Sequence, residues 1–289
     1  MLKEYISLLR PHQYIKNLFL FLPAFFSLQI MDVEVVLRTC IAFVAYCCMA
    51  SAVYILNDYK DREADREHPV KRLRPLAAGT IKTSTAFILM GSLVVLGFLL
   101  SILLGKSVFY LLTAYVFINV LYSFKLKHIA VVDIFIIALG FVIRIAVGAY
   151  AAPTPIPYSK WIVLMTFLGA LFLALAKRRD DVLLAAKGQK VRKSIDGYNL
   201  EFINGAMIIM ASVLIVAYIS YTIAPEIQEN FGSEFLYLTV AFVILGVLRY
   251  LQISFVEERS GNPTRILLTD LFLQITILAW LLSFVILIY

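Results

Sequence analysis

The nine residues from Asn57 to Asp65 hold the clearest chemical capacity in this chain: Asn57-Asp58-Tyr59-Lys60-Asp61-Arg62-Glu63-Ala64-Asp65, followed by Arg66, Lys71, Arg72, Arg74 and Pro75. On a continuous helix Asn57, Asp61 and Asp65 stand at i, i+4 and i+8 on one face, with Asp58 beside the first of them. Carboxylates so close repel unless a cation sits among them. Mg2+ takes hard oxygen ligands, keeps several waters, and is held by one or two carboxylates while substrate phosphates fill other positions. Asn57, Asp58, Asp61 and Asp65 therefore read as metal ligands of a Mg-diphosphate site, with Asp58, Asp61 and Asp65 as its catalytic carboxylates. The competing reading is a solvated loop whose Asp and Arg residues pair with one another.

Basic residues cluster nearby in the sequence. Lys71, Arg72 and Arg74 follow closely enough to fold back and neutralise phosphate oxygens or a departing diphosphate, or else they anchor the loop at the membrane surface. The runs Tyr122-Ser123-Phe124-Lys125-Leu126-Lys127 and Lys177-Arg178-Arg179-Asp180-Asp181 each close an apolar segment and present the same choice. The second is reinforced by Lys187, Lys190, Arg192 and Lys193. Arg144 is the one charge deep in an apolar segment, about three turns from Asp133. It touches a substrate phosphate or forms a structural ion pair with an Asp on another helix. Cys40, Cys47 and Cys48 lack metal-ligand spacing and read as packing residues.

The elements that must position these groups are membrane helices. The 289 residues are 62% hydrophobic and 16% charged, more apolar surface than one soluble core can bury, so the fold class is an all-α integral membrane protein. Segments of roughly 17 to 25 apolar residues suffice to cross a bilayer. They fall near 16–31, 35–56, 83–104, 107–124, 129–151, 161–177, 203–224, 234–255 and 266–288, about nine spans. No linker-like stretch divides them, so residues 1–289 read as a single polytopic domain. The two long charged loops, 57–83 and 177–201, follow spans two and six, which suggests two related four-helix halves and a closing helix. The N-terminal run lacks a small-residue cleavage site and reads as a retained first span.

Of the 26 Lys and Arg residues, all but Arg38, Lys106, Arg144 and Lys160 fall at the cytoplasmic side if the N-terminus is inside. That places both long loops in the cytoplasm and the chain in a bacterial-type cytoplasmic membrane. The net charge of +7 then reflects topology and attraction for phosphates or anionic head groups, with no nucleic-acid partner implied.

Along essentially its whole length the sequence resembles the UbiA-type intramembrane prenyltransferase superfamily. The resemblance rests on Asn57-Asp58-x-x-Asp61-x-x-x-Asp65 with Lys71, Arg74 and Pro75 downstream, and on Tyr122-Ser123 with Lys127. It implies nine helices around a central cavity open to the cytoplasmic side. Members that prenylate aromatic rings carry a second acidic pair near the end of helix 6, where this chain has Lys177-Arg178-Arg179-Asp180-Asp181. That departure resembles the subgroup that transfers ribose 5-phosphate from phosphoribosyl diphosphate (PRPP) to a polyprenyl, decaprenyl-like, phosphate, a cell-wall precursor reaction. The stretches Arg10-Pro11-His12-Gln13-Tyr14-Ile15-Lys16-Asn17, Leu173 to Arg179 and Tyr198-Asn199-Leu200-Glu201-Phe202 match it as well. The resemblance implies Mg2+ as cofactor, PRPP and a membrane-borne polyprenyl phosphate as substrates, and Lys16, Asn17, Lys71, Arg74, Tyr122, Lys125, Lys127, Arg144, Lys177, Arg178, Arg179 and Tyr198 as substrate-binding candidates. It leaves homo-oligomer formation open.

Two other functions stay in view. A prenyltransferase acting on an aromatic acceptor uses the same Mg-diphosphate logic but calls for a second carboxylate pair. A transporter or scaffold would place charges in a relay across the membrane, whereas most charges here gather at one face.

Overall fold

The computed structural model describes residues 2–67, 71–157, 159–188 and 193–288. Lys190, Arg192 and the side chain of Lys193 lie outside that description. The described residues form helices and connecting turns without strands. In chain order the helices are α1 (Leu2–Leu9), α2 (Leu22–Phe26), α3 (Val33–Arg66), α4 (Pro75–Ala78), α5 (Thr83–Leu104), α6 (Lys106–Phe124), α7 (Val132–Ala151), α8 (Lys160–Ala186), α9 (Leu200–Ile223), α10 (Pro225–Phe231), α11 (Val240–Phe255), α12 (Pro263–Thr269) and α13 (Leu271–Ile288). Among the described residues eight helices are long and apolar enough to cross a membrane: α3, α5 to α9, α11 with its 3-10 lead from Glu234, and α13. The chain divides into two compact units, Met1–Ser159 and Lys160–Tyr289.

In the first unit α3 is the central element. Its N-terminus is capped by Asp32, which accepts from the backbone N–H of Glu34 at 2.8 Å and Val35 at 3.2 Å. Its 34 residues run about 50 Å at 1.5 Å per residue, far more than a hydrocarbon core of about 30 Å needs. The helix therefore carries Asn57 to Asp65 on an extension beyond the apolar stretch. Small residues Ala42, Ala45 and Ala50 let neighbours close on α3, where Tyr46 and Met49 pack with Leu112 of α6 and Val147 of α7. Within this unit α3 and α7 are the buried helices, whereas most of α5 and α6 faces outward.

The opposite end of α3 ties its neighbours together. Arg38 donates to the carbonyl of Leu104 (2.9 Å) and to that of Ala151 (2.8 Å), the C-terminal ends of α5 and α7. Between α5 and α6 the chain reverses on Gly105 alone, whose φ of 128° is open to glycine.

The first span differs from the helix its apolar run predicts. Residues Pro11–Phe21 form a 3-10 segment that leads into the short α2. Arg10 and Leu28 adopt left-handed φ values of 56° and 62° at either end, so the chain turns sharply before and after. The segment lies hard against α7: a Cβ on Gly148 would come within 2.0 Å of the Leu20 carbonyl oxygen.

In the second unit α8 packs on α9, and α11 on α13 and α9. The run predicted as 266–288 is broken at Asp270, which ends α12 in extended backbone and caps α13 by accepting from Leu273 N–H at 3.1 Å. Helix α8 continues to Ala186, so Lys177 to Asp181 lie on helix rather than in a loop.

Candidate functional site

Helix α3 continues through the acidic segment, and its aspartates sort into two rows. Asp58 and Asp65, seven residues apart, both reach Arg74: its Nη1 lies 3.1 Å from Asp58 Oδ1 and 2.7 Å from Asp65 Oδ2. Asn57 and Asp61, four apart, both reach Lys127, whose Nζ is 3.4 Å from Asn57 Oδ1 and ion-paired with Asp61. A residue advances about 100° around the axis, so seven residues nearly complete two turns and align more closely than eight. Asp58 and Asp65 are 2% and 4% exposed, as is Lys127 at 4%, so these charges are held out of water and must be paired.

The elements that bring the cations in are the turns at the same end of α3. Arg74 is fixed just before Pro75 opens α4, and Pro75, Leu76 and Ala77 are buried. Lys127 sits in the 3-10 turn Leu126–His128 between α6 and α7. Arg10 supplies a third cation, with Nη2 2.5 Å from Asp58 Oδ1 and its guanidinium 5.2 Å from the Tyr54 ring centroid. In the sequence Arg10 opens one of the matching stretches, and nothing local marks it as part of the site. Its left-handed backbone, rare for a non-glycine residue, is the structural sign that the position is constrained.

The remaining candidates of this unit are placed as follows. Lys71 lies in the 3-10 turn Lys71–Leu73 and Lys125 is exposed at the end of α6. Tyr122 is half-buried on the last turns of α6. Asn17 is buried and joins α3 to α7: it donates to Cys47 Sγ at 3.1 Å and accepts from Arg144 Nε at 2.8 Å. Arg144 also donates to the Gly140 carbonyl at 2.8 Å and lies 4.6, 5.1 and 5.6 Å from the ring centroids of Tyr46, Phe141 and Tyr115. No carboxylate pairs with it among the described residues, so the ion pair left open by the sequence is not formed there. Lys16 precedes Asn17 on the 3-10 segment. Nearby His12 is held below its ordinary pKa by partial burial, with the charges of Arg10 and Lys16 acting in the same direction.

In the second unit Arg178 and Arg179 are buried and bonded within that unit. Arg178 pairs with Asp181 at 2.5 Å. Arg179 donates to Asn204 Oδ1 at 3.0 Å and to the Ser254 carbonyl at 2.5 Å. Lys177 is half-buried and Tyr198 buried. A second charged cluster escaped sequence reasoning: Asp270 accepts from Arg249 (2.8 Å) and Arg259 (2.9 Å), while Glu257 pairs with both arginines.

The donor set at the end of α3 suits Mg2+ by its chemistry. It offers hard oxygens alone, and two carboxylates close enough to contact one nitrogen atom. Among the described residues no three His, Cys, Asp or Glu side chains group tightly enough to hold a metal by themselves. Two carboxylates completed by phosphate and water oxygens are what Mg2+ uses in phosphate-transfer sites, so the residues fit.

Multi-pass helical architecture, a long central helix ending in aspartates and cations at that end together define an intramembrane transferase scaffold, and the chain belongs to the UbiA prenyltransferase family, whose model matches residues 18–276. It is 34% identical over 288 residues to a decaprenyl-phosphate phosphoribosyltransferase of Mycolicibacterium smegmatis, covering 96% of this chain and 89% of the relative. A protein of the same description from Corynebacterium glutamicum is 32% identical, over 98% of this chain and 86% of the relative. Among solved structures, a UbiA homolog from Archaeoglobus fulgidus bound to DMAPP and Mg2+ gives a TM-score of 0.72 at 17% identity, covering 97% of this chain and 98% of that one. That last likeness concerns the fold.

Proposed function

We propose that this chain transfers the 5-phosphoribosyl group of PRPP to a polyprenyl phosphate in a Mg2+-dependent reaction that releases diphosphate. The observation that carries the reading is similarity over nearly the full length to decaprenyl-phosphate phosphoribosyltransferases, together with an acidic motif that stands in a single copy. The membrane orientation that suits it has the N-terminus and the acidic end of α3 on the cytoplasmic side, where PRPP is available. Homo-oligomer formation is not needed for it.

When bound, Mg2+ would supply positive charge for the diphosphate; Asp58 and Asp65, which reach one Arg74 nitrogen, are the pair close enough to share it, with Asn57 and Asp61 as further ligand candidates. Every carboxylate of this motif has a cation partner in the protein: Arg10 and Arg74 for Asp58, Arg74 for Asp65, Lys127 for Asp61. Those cations are positioned to turn from carboxylate to phosphate oxygens as the donor enters, so substrate binding is an exchange of partners with little change in buried charge. Arg74, whose Nη1 contacts two carboxylates, and Lys127 would then stabilise the leaving diphosphate. The lipid phosphate is already ionised near neutral pH and needs no general base; the protein aligns its oxygen with ribose C1 as the sugar becomes oxocarbenium-like. Direct displacement inverts the anomeric configuration. Lys71, Tyr122, Lys125, Lys177, Arg178, Arg179 and Tyr198 are further candidates for phosphate oxygens.

The test is release of diphosphate from PRPP by the detergent-purified chain. Release should require both polyprenyl phosphate and Mg2+ and stop on chelation. Retained anomeric configuration in the product would rule out the direct-displacement scheme.

A further inference from the structure

The turn at Leu9 and Arg10 sets a cation of the chain on the acidic motif, and we infer that Arg10 closes the metal site to a bare divalent cation, so that Mg2+ enters only together with a diphosphate. Resting on the reaction proposed above, this gives the site an order of filling.

Three contacts seat the turn on one stripe of α3. Ser51, Tyr54 and Asp58 are spaced by three and four residues and share a face of that helix. Ser51 Oγ donates to the Leu9 carbonyl at 2.9 Å, so its oxygen accepts from the Tyr14 hydroxyl at 2.7 Å. One turn along α3 the Arg10 guanidinium lies over the Tyr54 ring, and a turn further its Nη2 reaches Asp58 Oδ1. Leu8 is fully buried in one cluster with Ile55 of α3 and Leu76 of α4, so Arg10 and Arg74 are delivered to Asp58 by elements packed on each other. Arg10 has φ 56° and ψ 55° directly before Pro11, where extended backbone is the ordinary choice, and these contacts hold it there.

Asp58, Asp61 and Asp65 carry three negative charges, and Arg10, Arg74 and Lys127 carry three positive ones. The set is balanced before any metal arrives. A bare Mg2+ must take oxygens that these cations already occupy, and with Asp58 2% exposed the resulting repulsion is poorly screened. A diphosphate reverses the balance, because it carries more negative charge than one Mg2+ cancels and offers the displaced cations new oxygens. Arg10 is the cation freest to make that exchange: its side chain is 18% exposed and pairs with Asp58 alone among the described residues, whereas Arg74 bridges two carboxylates. Metal and diphosphate then strengthen each other's binding by the same factor.

The experiment measures binding of Mn2+, a spectroscopic stand-in for Mg2+, to the full-length chain in detergent, with and without inorganic diphosphate and against a protein-free blank. Wild type should bind Mn2+ at least tenfold more tightly when diphosphate is present. Without diphosphate, Arg10→Gln should bind Mn2+ at least fivefold more tightly than wild type, while Arg10→Lys, which keeps the charge, should stay within about twofold of it. Lys127→Gln, in a separate turn, frees Asp61 and should act in the same direction, so it decides the matter if Arg10→Gln fails to fold. Equal Mn2+ binding by wild type with and without diphosphate, or a folded Arg10→Gln that binds the bare metal no more tightly than wild type, would overturn the inference. Lack of turnover with PRPP and polyprenyl phosphate, with diphosphate-coupled metal binding intact, would instead overturn the reaction proposed and leave the closure by Arg10 standing.

Discussion

Asp58 and Asp65, two turns apart on α3, accept from the same nitrogen of Arg74, at 3.1 and 2.7 Å. One guanidinium thus holds both carboxylates in register and stands where a phosphate would approach. Arg74→Lys keeps the charge but replaces a planar fork with a point charge on a shorter reach. We expect kcat/KM for the donor to fall by roughly 10 to 100-fold in Arg74→Lys, and further in Arg74→Gln. Steady-state kinetics decide it, and a lysine variant equal to wild type would show that the guanidinium is not needed.

Asp61 is the more accessible carboxylate, paired with Lys127. Asp61→Asn keeps an oxygen acceptor for Lys127 and should leave the fold intact, but it removes a charge from the cation-binding row. Turnover should drop by about two to three orders of magnitude with an unchanged melting temperature. Loss of turnover accompanied by early unfolding would reassign Asp61 to structure.

Much of this was readable from composition and spacing. Long apolar runs are visible as spans because the bilayer requires about twenty such residues in succession. The acidic motif announces itself because its oxygen-bearing residues recur at helical spacing. What escaped depends on contacts between distant residues. Arg10 meets Asp58 across 48 positions, and no local periodicity signals that pairing. Asp65 was expected to share a face with Asn57 and Asp61, yet the cations sort the residues into 57 with 61 and 58 with 65. The 3-10 segment at the N-terminus has enough apolar residues for a helix, but Pro11, Pro23 and close packing against Gly148 decide its geometry. The bond network of Arg178 and Arg179 within the second unit was hidden for the same reason, since Asn204 and Ser254 carry no charge signal in the sequence.

Gly148 is an obligate small residue on structural grounds. A methyl group there would meet the Leu20 carbonyl oxygen at 2.0 Å, backbone against backbone, with no flexible side chain to yield. Gly148→Ala should cost about 1–3 kcal/mol, read as a lower melting temperature in detergent. Gly169, whose added Cβ meets nothing within 4 Å, is the control and should be neutral.

Asp270 both caps α13 and collects Arg249 and Arg259. Asp270→Ala should lose at least the cap, about 1 kcal/mol, and leave two arginines short of a partner. Asp270→Asn keeps an oxygen for the cap and should be the milder change. Thermal unfolding of the two variants gives the order directly, and equal stability of both with wild type would remove Asp270 from the structural core of the second unit.

The most direct measurement is product analysis with both donors offered in parallel. The purified chain with Mg2+ receives labelled PRPP and polyprenyl phosphate in one reaction, and prenyl diphosphate with an aromatic acid in the other. We predict lipid-linked ribose phosphate in the first, abolished by chelator and restored by added Mg2+, and no product in the second. Prenylated aromatic product in the second reaction with none in the first would contradict the proposed function.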